Sequence, residues 1–329
     1  MNHLAPGSRL CTPGLAHPAG YLRCLALFHP PKPLAPAIVL CDTGPLLNLD
    51  EKLTRAWDLR RAHFPDEITW SYPLDTAVLS LTGRQCALDC AHCGGHYLGG
   101  MRPIWEAEPD ASRSCLISGG CDPTGRVPVL AQSEAVRAWR PGRTMNWHVG
   151  FVTEAEIRTI APMVDVVSFD FVGDDRTIRE VYGTDRTVED YVQTYRLLRR
   201  YARTLPHVTL GLRGGDLGHE LPALELLQEL GADGLVLLIF MPTPGTRYSD
   251  CPPPEPAAVA DLMAEARLRF PGVPLYLGCM RPKGTYRNQL DPLAVRAGIN
   301  VIVSPSRPAR ELAAELGLSA REMSECCVL

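Results

Sequence analysis

"VDVVSFDF" at residues 164–171, "TVEDYVQTYRLLRRYART" at 187–204 and "HVTLGL" at 207–212 form the passage on which the fold turns. The first and third are short apolar runs with β-branched residues. The one between sets apolar residues three and four apart, the spacing of a single helix face. Strand, helix, strand is the parallel crossover unit, since a parallel neighbour is reached only through a long connection.

The unit repeats in both directions. Toward the N-terminus come "TMNWHV" (144–149), "SCLIS" (114–118) and "TAVLSL" (76–81). Toward the C-terminus come "DGLVLLIF" (233–240), "VPLYLG" (273–278) and "INVIVS" (299–304), with helical patterns at 221–232 and 256–270. Eight strands in α/β alternation predict a (β/α)8 TIM-type barrel over residues 76–305. Residues 1–75 are expected as an N-terminal extension. Within it, 1–36 show neither strand nor helix period, "AIVLC" (37–41) reads as a strand, and "EKLTRAWDLRRAHF" (51–64) reads as a helix with Leu53, Trp57, Leu59 and Phe64 on one face. Residues 306–329 are expected as a terminal helix, 309–322, and a cysteine-containing tail.

Composition narrows the function classes. Lys and Arg number 33 against 37 acidic residues, for a net charge of -4, and no basic run tracks a phosphate backbone, so no nucleic-acid partner is expected. Apolar runs such as "GLVLLIFM" from Gly234 are too short for a span, so no membrane partner is expected either. The opening "MNHLAPGSRLCTPGLAHPAG" has no cationic stretch leading into an apolar core. The expectation is a cytoplasmic protein, in which twelve cysteines point to metal binding or catalysis rather than disulfides.

Barrel enzymes work where strands end, and the loop after the first expected barrel strand reads "CALDCAHC", with Cys86, Cys90 and Cys93 inside eight residues. Two metal sites suit three close thiolates. A tetrahedral zinc would recruit His92 or His96; a [4Fe-4S] cluster would leave one iron open. Position at the catalytic face favours the cluster, because a structural metal has no need to be there. Cys121, Cys279, Cys326 and Cys327 also fall at strand ends or in the tail. Burial as small hydrophobes explains Cys24 or Cys115, but not an adjacent terminal pair, whose side chains cannot both point into one core.

The trio spaced CxxxCxxC, followed by "SGG" (118–120) after the next strand, resembles the radical S-adenosylmethionine (SAM) superfamily. The resemblance implies that Cys86, Cys90 and Cys93 each bind one iron and that SAM chelates the fourth. One electron from a low-potential donor then cleaves the sulfonium to a 5'-deoxyadenosyl radical, with no catalytic side chain implied beyond that radical. Ser118, Gly119 and Gly120 would serve the cofactor, the glycines by letting a carbonyl approach its ammonium.

The central half is similar to biotin synthase and its relatives, which implies Ser168 and Asp170 at the ribose, Arg213 near the adenosyl or carboxylate region, and "MPTPGTRY" (241–248) at the adenine. It departs from biotin synthase in having Thr209 on strand five and no cysteine on "TMNWHV". "SGGC", "LGCMRP" and a tail with "ECC" resemble the archaeal-type two-component lipoyl synthases. That implies sulfur insertion into an octanoyl chain on a lipoyl-carrier protein or domain, in partnership with a second radical SAM subunit. It also implies a second [4Fe-4S] cluster as sulfur source, on Cys121, Cys279, Cys326 and Cys327, with Cys41 in reserve. The tail would reach the mouth by a further turn, Gly317 ending the helix and Ser319 capping the next. Two other readings stay open: a methylation or rearrangement by the same cofactor, and a zinc-stabilised barrel acting as a hydrolase or binding module.

Overall fold

The structure, a computed structural model, describes residues 47–329; the extension over 1–36, the strand expected at 37–41, Cys24 and Cys41 lie outside them. Among the described residues, eleven strands form one sheet. They are β1 (Glu67–Ser71), β2 (Thr76–Ser80), β3 (Arg102–Pro103), β4 (Ser114–Ser118), β5 (Thr144–His148), β6 (Val166–Asp170), β7 (Thr204–Leu210), β8 (Leu235–Ile239), β9 (Leu275–Leu277), β10 (Val301–Val303) and β11 (Ser319–Met323). The helices are α1 (Leu49–His63), α2 (Ser133–Trp139), α3 (Glu154–Ile160), the single turn α4 (Asp175–Thr177), α5 (Val188–Tyr201), α6 (Glu220–Leu230), α7 (Pro256–Arg269), α8 (Thr285–Arg296) and α9 (Arg307–Glu315).

Every ladder is parallel, and the order is β11-β1-β10-β9-β8-β7-β6-β5-β4-β2-β3. All eight expected strands are present, in the expected sequence. The sheet curls, because Val166 of β6 and Val303 of β10 meet in one inner cluster with Val236, Leu238 and Tyr276. Alternate residues of β8, Leu235, Leu237 and Ile239, join the outer core against the helices instead. The curl does not close as a ladder. β1 and β2 are consecutive in the chain, yet no ladder joins them, and a seam is left between β1 with its edge partner β11 and β2 with its edge partner β3.

Three elements depart from expectation. β1 was hidden in the presumed extension, where "EITWS" is too short to announce itself, and it lies between β10 and β11. The two-residue β3 pairs with β2 at the other edge. The helix expected over 309–322 stops at Glu315. Gly317, at φ 80°, turns the chain, with the Leu318 N–H donating to the Ala313 carbonyl and the Gly317 N–H to Ala314. No capped extra turn follows; the tail instead runs as β11 beside β1. The described residues all fall within one compact unit, Leu46–Leu329.

Candidate active site

The loop after β2 is wound by successive turns. Cys93 and Gly94 N–H groups donate to the Cys90 carbonyl, and His96 N–H donates to that of Cys93. It is pinned from outside, since Ala91 N–H donates to Val181, Tyr248 N–H to Ala91, and Arg247 to the Asp89 and Val181 carbonyls. Its other anchor is the turn after β4. Cys121 N–H donates to Cys86 Sγ (3.3 Å), Ala87 N–H returns to the Cys121 carbonyl, and Gly120 N–H donates to Thr82 Oγ1 (2.7 Å). A Cβ on Gly120 would stand 2.0 Å from the Gln85 carbonyl oxygen and 2.7 Å from Cys86 Cα, so only glycine lets the thiol loop lie on this turn. Gly119 faces Thr82, and Ser118 Oγ donates to the His148 carbonyl (2.8 Å), tying two strand ends together.

Cys86, Cys90, Cys93 and Cys121 converge. Burial pushes the Cys90 thiol far up, and Cys93, Cys86, Cys121 and Asp170 add to the rise. Burial likewise takes Cys121 to about 12, with Cys86 and Asp170 adding to it. Cys121 thus sits with the loop trio, not with the tail cysteines where the expected second site placed it. His92, between two of the thiols, packs edge-on against Tyr182, with ring centroids 5.7 Å apart; its buried Nδ1 has no protein partner.

Below this roof, inward-facing residues of β5, β6 and β7 form a titratable wall. His148 Nε2 and Asp170 Oδ1 are 3.3 Å apart, and His148 stacks on His207 at 5.6 Å between centroids. Burial opposes charge on both partners, yet each stabilises the other. Asp170 is held at about 2 by His148, His207 and His92, and His148 is raised by Asp170. Burial and His148 together lower His207 to about 4. The sequence reading passed over His148 and His207; their signal was polar residues at every second position of otherwise apolar strands. Ser168 is one layer further in, its Oγ donating to Asn146 Oδ1 (2.9 Å). Arg213 is drawn toward carboxylates, Nε lying 3.6 Å from Glu180 and 3.9 Å from Asp216.

The chain's own C-terminus makes the floor. From β11 the tail enters the seam, Ser71 Oγ donating to the Glu325 carbonyl (2.9 Å) on one side and Cys326 N–H to Thr76 Oγ1 (2.9 Å) on the other. Cys327 and Val328 then pack on Val166, Leu205, Val236, Leu238, Tyr276 and Val303. Cys326 Sγ accepts from Asn146 Nδ2 (3.4 Å) and faces His148 and Cys279. The loop carrying Cys279 is fixed by a buried fork, Arg281 donating to both oxygens of Asp291 (2.9 and 3.0 Å) and to the Gly278 and Val303 carbonyls.

The roof fits an iron–sulfur cluster with a bound cofactor. Its donors are thiols that repel one another once ionised, a state that a cluster's positive iron relieves. The orphaned His92 Nδ1 beside them asks for a partner the protein does not supply. Among the described residues no three Cys, His, Asp or Glu side chains close on a point as one zinc ion requires; a cluster asks for one thiolate per iron instead.

No protein-family model and no curated protein matches the chain. Solved structures do. Methylornithine synthase (PylB) is 13% identical with a TM-score of 0.60, over 83% of this chain and 89% of that one. HydG, a maturase of the [FeFe]-hydrogenase, is 12% identical with a TM-score of 0.61, over 83% and 68%. HydG from Carboxydothermus hydrogenoformans is 11% identical at 0.60, over 83% and 72%. At these identities the likeness establishes the shared fold.

Proposed function

We propose that this chain is a radical SAM enzyme that inserts sulfur into an unactivated C–H bond, as one of the two steps from protein-bound octanoyl to lipoyl. One observation carries the reading. Two thiol groups face a single lumen, Cys86, Cys90, Cys93 and Cys121 at the roof and Cys279 with Cys326 at the floor, and the His148–Asp170 pair stands between them. Sulfur transfer to a short-lived carbon radical needs a sulfur source within bonding reach of where that radical forms, and thiols on both sides of the His148–Asp170 pair suit that need.

Cys86, Cys90 and Cys93 would hold a [4Fe-4S] cluster, with SAM on its open iron; together they would supply a primary carbon radical able to abstract hydrogen from an aliphatic carbon. The remaining work belongs to the chain. Asp170, kept ionised chiefly by His148, presents an acceptor to the hydroxyls of a ribose. Gly120 seats the thiol loop. The tail shuts the far end of the lumen against water, and its cysteines with Cys279 would hold a second cluster as the sulfur source. An octanoylated lipoyl-carrier domain, a second radical SAM subunit and a low-potential donor complete the scheme, in a reducing cytoplasm. A methylation by the same cofactor would leave the floor thiols without a task.

Changing Cys86, Cys90 or Cys93 to Ala should abolish 5'-deoxyadenosine formation from SAM with dithionite. Wild-type protein with its partner subunit should thiolate an octanoyl-lysine peptide. Cofactor cleavage by all three variants would overturn the radical reading; cleavage by wild type that is never accompanied by thiolated product would overturn the sulfur-insertion reading.

A further inference from the structure

The floor of the lumen is built more elaborately than a plug requires. Cys327 and Val328 close it mainly by apolar packing, at 8% and 1% exposure, with Arg203 donating to the Val328 carbonyl (3.0 Å). Cys326 is treated differently. Its N–H donates to Thr76 Oγ1, which pairs with Ser114 Oγ (2.8 Å), and its Sγ accepts from Asn146, which is in turn bonded to Ser168. Thr76 of β2 and Asn146 of β5 reach Cys326 directly, and Ser114 of β4 and Ser168 of β6 back them. Asn146 and Ser168 are both 2% exposed, and burying an amide and a hydroxyl inside a barrel is unfavourable unless they hold a partner. The order of donation matters. With Asn146 Oδ1 taking the Ser168 proton, the amide must turn Nδ2 to the sulfur, so the cradle offers Cys326 a donor and leaves its lone pairs as acceptors.

We propose that Asn146 and Ser168 are positioning residues that hold Cys326 in place opposite Cys279 across the lumen floor, and that Ser168 acts on the tail rather than on the cofactor. The inference rests on the reading of the floor cysteines as a second cluster site, and it gives that site its supporting shell. Ser168 and Asp170 lie on one face of β6 but have different tasks, Asp170 toward the roof thiols and Ser168 toward the tail.

The test uses full-length Asn146→Leu and the milder Ser168→Ala. In cluster-free protein, alkylation of Cys326 by iodoacetamide is followed by peptide mass spectrometry, with buried Cys115 as internal reference. At a pH that ionises Cys326 in every protein compared, losing the amide hydrogen bond should free the thiolate and speed its alkylation about tenfold, and losing the hydroxyl should speed it less. Cys115 labelling should not change, which also reports that the fold survives. In reconstituted protein, both variants should cleave SAM at the wild-type rate while binding about four fewer irons. Wild-type alkylation of Cys326 in both variants would overturn the cradle, and so would Ser168→Ala protein whose SAM affinity falls while its tail stays protected. The two readings separate cleanly. Accelerated alkylation in a protein whose wild type takes only about four irons would keep the cradle and discard the second cluster.

Discussion

Asp170 and His148 show most plainly what single residues contribute. Each would favour its neutral form if buried alone, and each is charged because it faces the other at 3.3 Å. The pH dependence follows from both directions. His148 titrates above its ordinary 6.5, so its contribution to stability is complete below that value and is lost as pH rises through the raised one. Asp170 titrates at about 2, so its contribution is complete above the ordinary 3.8 and is lost as pH falls toward 2. Cluster-free protein should therefore gain from the pair between these limits. Asp170→Asn should lower the His148 midpoint, measured from its imidazole proton shifts. A midpoint unchanged by the substitution would show that Asp170 does not charge His148.

At the scale of elements, β11 is the decisive one. Its sequence, "SAREM", carries no strand signature: four of its five residues are exposed, and its neighbours suggest a helix. It is a strand because Gly317 redirects the chain beside β1, whose free edge supplies partners. Ser319 N–H donates to the Asp66 carbonyl at one end, and Tyr72 N–H to the Met323 carbonyl at the other. The parity of a parallel ladder then makes the Arg321 N–H a donor to β1 and turns that of Ala320 to the open edge. Arg321→Pro should release the tail, raising Cys326 alkylation and leaving SAM cleavage intact. Ala320→Pro should leave both Cys326 alkylation and SAM cleavage unchanged, because proline on the outer edge removes no ladder bond. Equal behaviour of the two would mean that β11 does not hold the tail.

For the whole molecule, the tail is both a wall and a carrier of thiols. Deleting residues 324–329 strips Cys327 and Val328 from the inner faces of six residues, at a cost of about 3 kcal/mol in urea unfolding. It should also remove about four irons and all sulfur transfer, while SAM cleavage survives. A truncated protein with full iron content and thiolated product would leave the floor cysteines without a role.

How far the sequence reached follows the range of each interaction. Period-2 and period-3.6 patterns are local, so the eight strands and their parallel order were legible, as was the spacing that put Cys86, Cys90 and Cys93 into one loop after β2. Polar residues on alternate positions of β5, β6 and β7 carried a signal for the lumen, but not for which of them would meet. What only the tertiary structure decided joins distant segments. Cys326 meets Asn146 across 180 positions, β1 lies between β10 and β11, and Cys121 turns to the roof because its amide bonds Cys86. No periodicity reports such pairings. They depend on how a curled sheet brings its ends together, and here the seam it leaves is filled by the chain's own last residues.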